Sequence, residues 1–272
     1  MASRRLAGSV FMLTPHLKTY TLRQTVARRK PYFTENLFAR PSPPSSLPAA
    51  MNTLNLLASG AARTLRRLGR GLLDVVYPPR CLGCGARPES PRLPLCPQCL
   101  QSLERAPNMG VAARLDRLPT GAERVDAALA LWVFDKGGTL QAVQHALKYQ
   151  NRPRYGVPLG RLMGEAFAER HSVPDGVVPV PLHRTRRLER GYNQCTPLAE
   201  GAAEVLGCPC RPHLLERPHP TRSQTGLSRQ ARWQNVCDAF RAAPDCAGGR
   251  WLLVDDVLTT GSTVVAAAHT LV

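Results

Sequence analysis

The stretch LLVDDVLTTGST, residues 252–263, decides the fold expected for this chain. Its apolar beginning predicts a buried parallel strand, which delivers Asp255 and Asp256 to the carboxyl edge of a sheet, where ligands bind in open α/β folds. A loop rich in hydroxyl groups follows and opens a helix; it consists of Thr259, Thr260, Gly261, Ser262 and Thr263. The backbone N–H groups and hydroxyls of this loop, with the positive end of the helix dipole, form a cradle for an anion.

Carboxylates beside an anion cradle indicate a ligand that carries hydroxyl groups as well as a phosphate. A ribose 5-phosphate meets both requirements, because Asp255 and Asp256 accept from its 2- and 3-hydroxyls while the cradle takes the phosphate. The alternative is a generic strand–helix turn that has a capping hydroxyl and two exposed acids. Such a turn explains one Asp and one capping residue, but not the whole stretch 252–263. A Walker-type loop is excluded because no Gly-Lys-Ser/Thr follows Gly261.

Strand and helix patterns alternate along the chain. Strands are predicted over 127–134, 176–183, 211–217 and 250–255, and helices over 65–76, 139–149, 159–171, 194–206 and 228–235, with a further helix beginning at Ser262. Gly207 is expected to end the helix over 194–206. The alternation predicts an α/β fold with a mostly parallel sheet covered by helices, and it assigns this domain to residues 124–272.

A cysteine module precedes that domain. Residues 81–99 contain two Cys-x2-Cys pairs separated by eleven residues: Cys81 and Cys84, then Cys96 and Cys99. Two tight turns of this kind present four thiolates to one tetrahedral ion, which predicts a closed structural zinc site. A disulfide pair and a redox dithiol are the alternatives, and the doubled spacing favours zinc over both. The other cysteines show no ligand pattern and are interpreted as small buried apolar residues: Cys195, Cys208, Cys210, Cys237 and Cys246.

The chain is basic, with a formal net charge of +17 from 36 Lys and Arg against 19 Asp and Glu. This balance favours anionic partners such as phosphates or nucleic acid, although a genome bias toward Arg codons is a simpler source of the charge. No run of about 18 apolar residues occurs, so no transmembrane helix is predicted. The odd number of cysteines and their clustering indicate a reducing compartment, which points to the cytoplasm.

Residues 1–50 are predicted to be a disordered basic extension. They hold eight Lys or Arg and one acid, show no sustained period and end in a turn-rich stretch. An organellar transit peptide is one interpretation, whereas an over-extended start, with the true start at Met51, is favoured. Residues 51–80 are expected to form an amphipathic helical lead-in, and residues 81–123 the cysteine module and its connection. The end at Val272 leaves the last helix short, which indicates a truncated chain.

Several motifs together resemble the ComF family. The stretch 252–263 is similar to the phosphoribosyl pyrophosphate (PRPP) signature of type I phosphoribosyltransferases. The segments VVPVPLHRTRRLERGYNQ (177–194) and RSQTGLSRQARWQNV (222–236), taken with the cysteine module and VYPPRCLGCG (76–85), resemble ComF proteins. The resemblance runs from about Leu72 to the end of the chain. It implies an N-terminal zinc ribbon joined to a phosphoribosyltransferase-type domain, with a link to DNA uptake in competence or to the use of DNA as a nutrient.

The family likeness implies roles for the matching residues. The two carboxylates would hold the ribose hydroxyls of PRPP, the hydroxyl loop its 5-phosphate, and Mg2+ would accompany the ligand. The turn after the strand near Val178 resembles the pyrophosphate loop, and residues 222–229 take the place of a mobile loop that closes over PRPP. The implied catalytic residues are Asp255, Asp256 and Arg222, and the implied ligand-binding residues are Asp255, Asp256, Thr259, Thr260, Gly261, Ser262, Thr263, His183 and Arg184.

Two functions from different classes follow from the resemblance. The first is a glycosyltransferase, namely a phosphoribosyltransferase that releases pyrophosphate on transfer to an unidentified acceptor. The second is a non-catalytic PRPP sensor of the competence machinery that binds single-stranded DNA, with Tyr192 and Trp233 stacking on bases. Arg222 is suited to bind either PRPP or DNA, because no acidic residue between residues 217 and 237 is present to pair with it. The alternative interpretation of Arg222 is a solvent-exposed basic face without a ligand. A degenerate fold without activity is the third interpretation.

Overall fold

The computed structural model describes a sheet, the helices packed on it and the cysteine module. The described residues are 11–14, 79–88, 90, 92–107, 125, 127–219, 238–246 and 248–271. The chain divides into two compact units, Met1–Leu17 with Pro79–Val272 and Lys18–Pro78, and every described residue belongs to the first. The helices predicted over 65–76 and 228–235, together with Arg222, Trp233 and Cys237, lie outside the described residues. In the part that is described, no helix is both long and apolar enough to cross a membrane.

Strands and helices alternate in the described residues. The strands are β1 Phe11–Thr14, β2 Ala127–Ala130, β3 Gly176–Pro179, β4 Leu215–Glu216, β5 Arg241–Ala242 and β6 Trp251–Asp255. The helices are α1 Pro97–Gln101, α2 Thr139–Tyr149, α3 Gly156–Ala168, α4 Arg184–Arg190, α5 Cys195–Leu206 and α6 Ser262–Thr270. Short 3-10 turns, Pro153–Tyr155 and Pro244–Cys246, precede α3 and β6.

Most predicted elements in this part are confirmed. α2 has the predicted bounds, α3 lies three residues earlier than predicted, and α5 ends at Gly207, whose φ of +65° is left-handed. β3 ends at Pro179, earlier than predicted, and the residues after it form the turn that leads into α4. α4 was not predicted, since none of its side chains is buried and its sequence carries no apolar period.

The main sheet has the strand order β2-β1-β6-β3. β3 pairs with β6 in parallel, with Val178 opposite Leu253, while β1 is antiparallel to both of its neighbours. β2, β6 and β3 therefore point the same way, and the predicted α/β class with a mostly parallel sheet is confirmed. β4 and β5 form a separate antiparallel pair.

β1 belongs to the segment that was predicted to be a disordered basic extension. Its residues pair with β2 on one side and with β6 on the other; Met12, for example, lies opposite both Leu129 and Val254. For these four residues the expected extension is instead part of the sheet. The sequence did not indicate this, because main-chain hydrogen bonds can hold a short strand without the alternating pattern on which strand prediction depends.

β6 is buried on both faces. Leu253 packs in an apolar cluster with Val178 of β3 and Val265 of α6. Because successive side chains of a strand point to opposite faces, Leu252 and Val254 lie on the other face, and both are fully buried. The uninterrupted apolar run that opened the predicted motif is therefore typical of a parallel strand covered on both sides.

α3 and α5 pack against each other through their backbones. A Cβ added to Gly160 would lie 2.0 Å from the carbonyl oxygen of Leu198, and a Cβ added to Gly201 would lie 2.0 Å from that of Val157. No larger residue fits at these two positions without moving the helices apart. α5 also packs on β3 and β6, so the helix pair is fixed to the half of the sheet that carries the parallel strands.

Candidate functional site

The carboxyl ends of β3 and β6 lie side by side. The Val180 N–H donates to the carbonyl oxygen of Val254 at 2.9 Å, directly before the two predicted carboxylates. Asp255 is the last residue of β6, and Asp256 follows it. The turn that holds His183 therefore begins at the same edge of the sheet as the acidic residues and the hydroxyl loop, as expected for parallel strands.

Asp256 is held by donors from two segments. Its side chain is 7% exposed and forms an ion pair with Lys148 of α2, whose Nζ lies 2.6 Å from Oδ2. Gln144 of α2 donates to the same oxygen at 3.5 Å, and Gln194 donates to Oδ1 at 3.0 Å. Burial by itself raises the pKa of Asp256, but the charge of Lys148 and the hydrogen bonds from Lys148 and Gln194 outweigh it and hold the pKa below its usual value. Asp256 is therefore ionised at neutral pH.

Asp255 has a different environment. Its Oδ1 accepts the Asp256 N–H at 2.8 Å and the Cys195 thiol at 3.4 Å. Burial and the neighbouring charge of Asp256 raise the pKa of Asp255 to about 7. Burial and the two carboxyls also raise the pKa of the Cys195 thiol well above its usual value, so this thiol stays protonated. Just below neutral pH the two carboxyls thus share one proton and one negative charge, which Lys148 balances.

The segment between α4 and α5 organises this pair. Arg190 donates to Gln194 Oε1 at 2.7 Å, and Asn193 donates to the main chain directly after β3 at 3.0 Å. Tyr192, predicted to stack on bases, is half-buried and donates its hydroxyl to the carbonyl oxygen of Leu147. These contacts tie the end of α2 and the start of α5 to the carboxyl edge of the sheet.

Lys148, Gln194 and Cys195 were not predicted as site residues. Gln194 and Asp256 are 62 residues apart in the sequence, and no local pattern links them. The rarity of lysine, which occurs four times in the chain, is the one signal that would have drawn attention to Lys148. Cys195 is buried, as predicted, but it also bonds to a carboxylate. Cys208, Cys210 and Cys246, which were also predicted to be buried, are only partly buried.

The hydroxyl loop turns sharply before α6. Gly261 has a φ of +87°, a left-handed conformation that favours glycine, and the helix begins at Ser262 as predicted. The Ser262 N–H donates to Thr260 Oγ1 at 3.4 Å, and the two hydroxyl oxygens lie 3.0 Å apart. Ser262 is buried, whereas Thr259 is exposed. The loop thus places hydroxyls and helix N–H groups directly after the carboxylates. Binding of a phosphate by residues Thr259 to Thr263 stays a prediction.

His183 and Arg184 form the beginning of α4. His183 Nδ1 accepts the Thr185 N–H at 3.3 Å and so caps the helix, and Arg184 is exposed. Both residues lie in the turn after β3, at the edge of the sheet where the carboxylates are. Arg222, the remaining predicted catalytic residue, is outside the described residues.

The four cysteines of the module, Cys81, Cys84, Cys96 and Cys99, converge on one point. Their sulfur atoms lie within 4.8 Å of one another, with 3.7 Å between Cys84 and Cys96. Tetrahedral zinc with Zn–S bonds of about 2.3 Å spaces its sulfurs about 3.8 Å apart, so the cluster fits zinc. Cys81 Sγ accepts the N–H groups of Gly83 and Cys96 at 3.4 and 3.3 Å. Burial raises the pKa of Cys81, but the hydrogen bonds from the N–H groups of Cys84, Cys96 and Gly83 outweigh burial and lower the pKa to about 6. This value favours the thiolate that binds metal.

The module is joined to the sheet close to the carboxylates. The chain that leaves it pairs with residues after β2, where the Val133 N–H donates to the carbonyl oxygen of Glu104 at 2.9 Å. Leu95 and Leu103 of the module share with Asp256 the lining of a small, mostly apolar cavity of about 40 Å³. A closed set of four thiolates leaves no position for a substrate, so the predicted structural role of the zinc site is supported.

The chain is similar to known proteins along most of its length. Residues 72–109 match the double zinc ribbon domain family. The chain is 34% identical over 197 residues to the DNA utilization protein YhgH of Salmonella typhimurium, which covers 70% of this chain and 83% of that protein. It is 33% identical over 187 residues to YhgH of Escherichia coli K12 (65% and 77%) and 35% identical over 125 residues to competence protein F of Haemophilus influenzae (43% and 55%). No solved structure matches the chain.

We expect the purified protein to hold one zinc ion per chain and Cys84→Ser to lose it. Cys84 is exposed, so the substitution removes a ligand with little change in packing, and the melting temperature should fall because metal binding stabilises the module. Elemental analysis and thermal unfolding measure both effects. Cys208→Ser is the control, because Cys208 is free and lies outside the cluster. Full zinc content in Cys84→Ser would contradict the assignment.

We expect Asp255→Asn to change how stability depends on pH. The folded protein keeps the Asp255 proton up to about pH 7, whereas an unfolded Asp loses it near 3.8, so ionisation destabilises the wild type progressively across this window. Asn does not titrate, yet its oxygen can still accept the Asp256 N–H. The free energy of unfolding of the variant, relative to wild type, should therefore rise between about pH 5 and about pH 8.

Denaturant unfolding at both pH values measures this difference. Glu200→Gln, which alters an exposed carboxyl on α5, should show no such trend. A stability difference between Asp255→Asn and wild type that stays constant with pH would contradict the raised pKa.

Proposed function

Because the chain belongs to the ComF family, with YhgH and competence protein F, we propose that it binds PRPP with Mg2+ and transfers the phosphoribosyl group to an acceptor. The observation that carries this proposal is the order of groups at one sheet edge. Asp255 and Asp256 end a buried parallel strand, and a turn at Gly261 and the beginning of α6 follow them. Carboxylates accept from sugar hydroxyls, and the N–H groups of a helix beginning bind phosphate.

The proposed reaction exchanges one bond at the anomeric carbon of the sugar. The bond to the pyrophosphate oxygen breaks, its electron pair leaves with pyrophosphate, and an acceptor nitrogen forms the new bond and loses a proton. Mg2+ would neutralise charge on the pyrophosphate. The negative charge shared by Asp255 and Asp256 would lie beside the sugar, where positive charge develops, and His183 and Arg184 would lie toward the leaving group. Catalysis then depends on positioning and electrostatic stabilisation rather than on a protein nucleophile.

The names of the relatives suggest where this chemistry is used. YhgH is named for DNA utilization, and competence protein F for competence. We extend this setting to the present chain and place its activity in the reducing cytoplasm. None of the cysteines in the described part of the chain forms a disulfide, which is consistent with that compartment.

Phosphorus NMR of the zinc-loaded protein with PRPP, Mg2+ and a mixture of nucleobases and ammonia tests the proposal. We expect the wild type to release pyrophosphate and to form a new phosphorus species that identifies the acceptor. Asp255→Asn/Asp256→Asn should be slower by about 100-fold or more, because it loses the charged acceptors for the sugar hydroxyls. Glu200→Gln, with an exposed substitution on α5, is the control and should react like wild type.

The possible outcomes separate binding from chemistry. PRPP that stays intact while its resonances broaden with wild type alone would overturn the transfer and leave the site as a ligand pocket. Resonances that do not change at all would overturn PRPP binding. Release that is equally fast in the double variant would contradict the role of the carboxylates.

A second function, binding of single-stranded DNA, is favoured by an exposed basic surface. α4 has no buried residue, and it carries Arg184, Arg186, Arg187 and Arg190 with Glu189 as its single acid. Tyr149 is 66% exposed, and the Arg190 guanidinium lies 5.7 Å from the centre of its ring. Cations bind the phosphate backbone, and an exposed ring stacks on a base. Tyr149, rather than the half-buried Tyr192, is therefore the stacking residue in this proposal.

Fluorescence anisotropy with labelled oligothymidine tests this second function. We expect affinity to fall steeply between about 50 and about 200 mM salt, and Arg187→Gln to reduce the slope of log affinity against log salt by about 0.7 to 1. Tyr149→Ala should weaken binding by about 5- to 100-fold, whereas Tyr149→Phe keeps the stacking ring. Absent or salt-insensitive binding, or equal effects of the two Tyr149 variants, would contradict this function.

A further inference from the structure

The four cysteines of the zinc module differ in how far solvent reaches them. Cys81 and Cys96 are buried, 3% and 7% exposed, whereas Cys99 is half-buried and Cys84 is exposed. Cys84 alone is exposed among the cysteines that the structure describes. The cluster therefore has a buried side and a side that small molecules in solution can reach.

The accessible side of the cluster borders a cleft. Cys84, Cys96 and Cys99 line this cleft together with Arg87, and its volume is about 600 Å³. A small solute needs far less space, since one water molecule takes up about 30 Å³ in the liquid. A molecule of the size of a peroxide can therefore approach the Cys84 sulfur without any displacement of the chain.

Metal binding makes Cys84 reactive in a way that the other accessible cysteines are not. A cysteine that ligates zinc does so as a thiolate, and the thiolate is the form that attacks peroxides. Cys208 and Cys210 are half-buried, and burial raises the pKa of both thiols, that of Cys210 to about 11. These two thiols stay protonated at neutral pH, whereas Cys84 combines thiolate character with exposure.

We propose that Cys84 is a site of oxidation by peroxides and that its reaction releases the zinc ion. The Cys84 thiolate attacks one peroxide oxygen, the O–O bond breaks, and a sulfenic acid and a hydroxide ion form. The Cys96 thiolate then attacks the Cys84 sulfur and displaces a second hydroxide ion, which leaves a disulfide. Two thiolates are oxidised by two electrons, one peroxide is reduced, and the metal loses two of its four ligands.

The geometry of the cluster suits the second step. The sulfurs of Cys84 and Cys96 lie 3.7 Å apart, and a disulfide needs a separation of about 2.05 Å. Cys96 needs no access to the oxidant, because it reacts with a sulfur inside the cluster. A thiol reductant can cleave the disulfide again, so the modification is reversible.

Loss of the metal reaches α2 through two contacts. A Cβ added to Gly83 would lie 2.8 Å from Cys99 Sγ and 3.3 Å from the side chain of Thr139, so Gly83 is enclosed between the cluster and the first residue of α2. Leu95 and Leu103 of the module line one cavity with three apolar residues of α2: Leu140, Val143 and Leu147. Because metal binding and folding of such a module are coupled, oxidation uncovers this face of the helix.

Treatment of the full-length, zinc-loaded protein with hydrogen peroxide tests the oxidation site. We expect a chelating dye to detect the release of one zinc ion per chain, and dimedone to trap the first sulfenic acid at Cys84. Mass spectrometry of the final product should find a disulfide between Cys84 and Cys96. A disulfide that lacks Cys84, or zinc that is retained after Cys84 is oxidised, would overturn the proposal.

Two histidine variants separate the exposed thiolate from the rest of the cluster. Cys84→His keeps four zinc ligands but removes the exposed sulfur, so peroxide should release its zinc at least about tenfold more slowly than in wild type. Cys99→His keeps Cys84 and should release zinc at nearly the wild-type rate, as should Cys208→Ser. Equal rates in Cys84→His and wild type would contradict the role of Cys84. If elemental analysis finds no zinc in a histidine variant, the mapping of the wild type decides alone.

Hydrogen exchange tests the link between the cluster and α2. After oxidation, the amides of α2 should exchange at least about tenfold faster, because the helix loses the cover that the module provides. The amides of α5 are the internal control and should stay protected, since α5 packs on α3, β3 and β6. Unchanged exchange in α2 would overturn this link.

A last consequence rests on the proposed function. Lys148 lies in the last turn of α2, and its Nζ is 2.6 Å from Asp256 Oδ2. Oxidation should therefore weaken the binding of PRPP with Mg2+, followed by phosphorus NMR, by about 5- to 150-fold, and a thiol reductant with added zinc should restore it. Unchanged affinity would contradict this consequence. If the untreated protein does not bind PRPP, the proposed function is overturned, while zinc release and hydrogen exchange still decide the oxidation site.

Discussion

The parallel pairing of β3 with β6 is the constraint on which the rest of the structure depends. It brings the turn with His183 and the loop after Asp255 to one edge, and it requires β6 to be apolar and covered on both faces. The same burial that stabilises the strand makes two adjacent negative charges at its end unfavourable. Lys148 reaches this edge from α2, and the shared proton on the carboxyls removes the second charge.

The sequence predicted what depends on local chemistry. The bounds of α2, the left-handed glycine at the end of α5 and the convergence of four cysteines follow from spacing and backbone preference. Lys148 and Gln194 were missed because their contacts with Asp256 join residues far apart in the chain. α4 was missed because it buries nothing, and β1 because four residues held by main-chain hydrogen bonds carry no pattern of their own.

The cysteine module contributes to the geometry of the carboxyl edge as well as to its own fold. A Cβ added to Gly83 would lie 3.3 Å from Thr139, the first residue of α2, and the last turn of that helix carries Lys148. Leu95 and Leu103 lie in the wall that Asp256 also lines. Metal ligation therefore stabilises the base of the helix that supplies the counter-charge.

The glycine contacts between α3 and α5 have a mechanical consequence. Contact between two backbones offers no rotamers to exchange, so the two helices can move only as one rigid body. Cys195 begins α5, and Gln194 directly precedes it, so the side of the site that they form is held to the sheet by the packing of α5 on β3 and β6. The edge of the site that Gln194 and Cys195 form therefore cannot be reshaped by a change in the angle between these two helices.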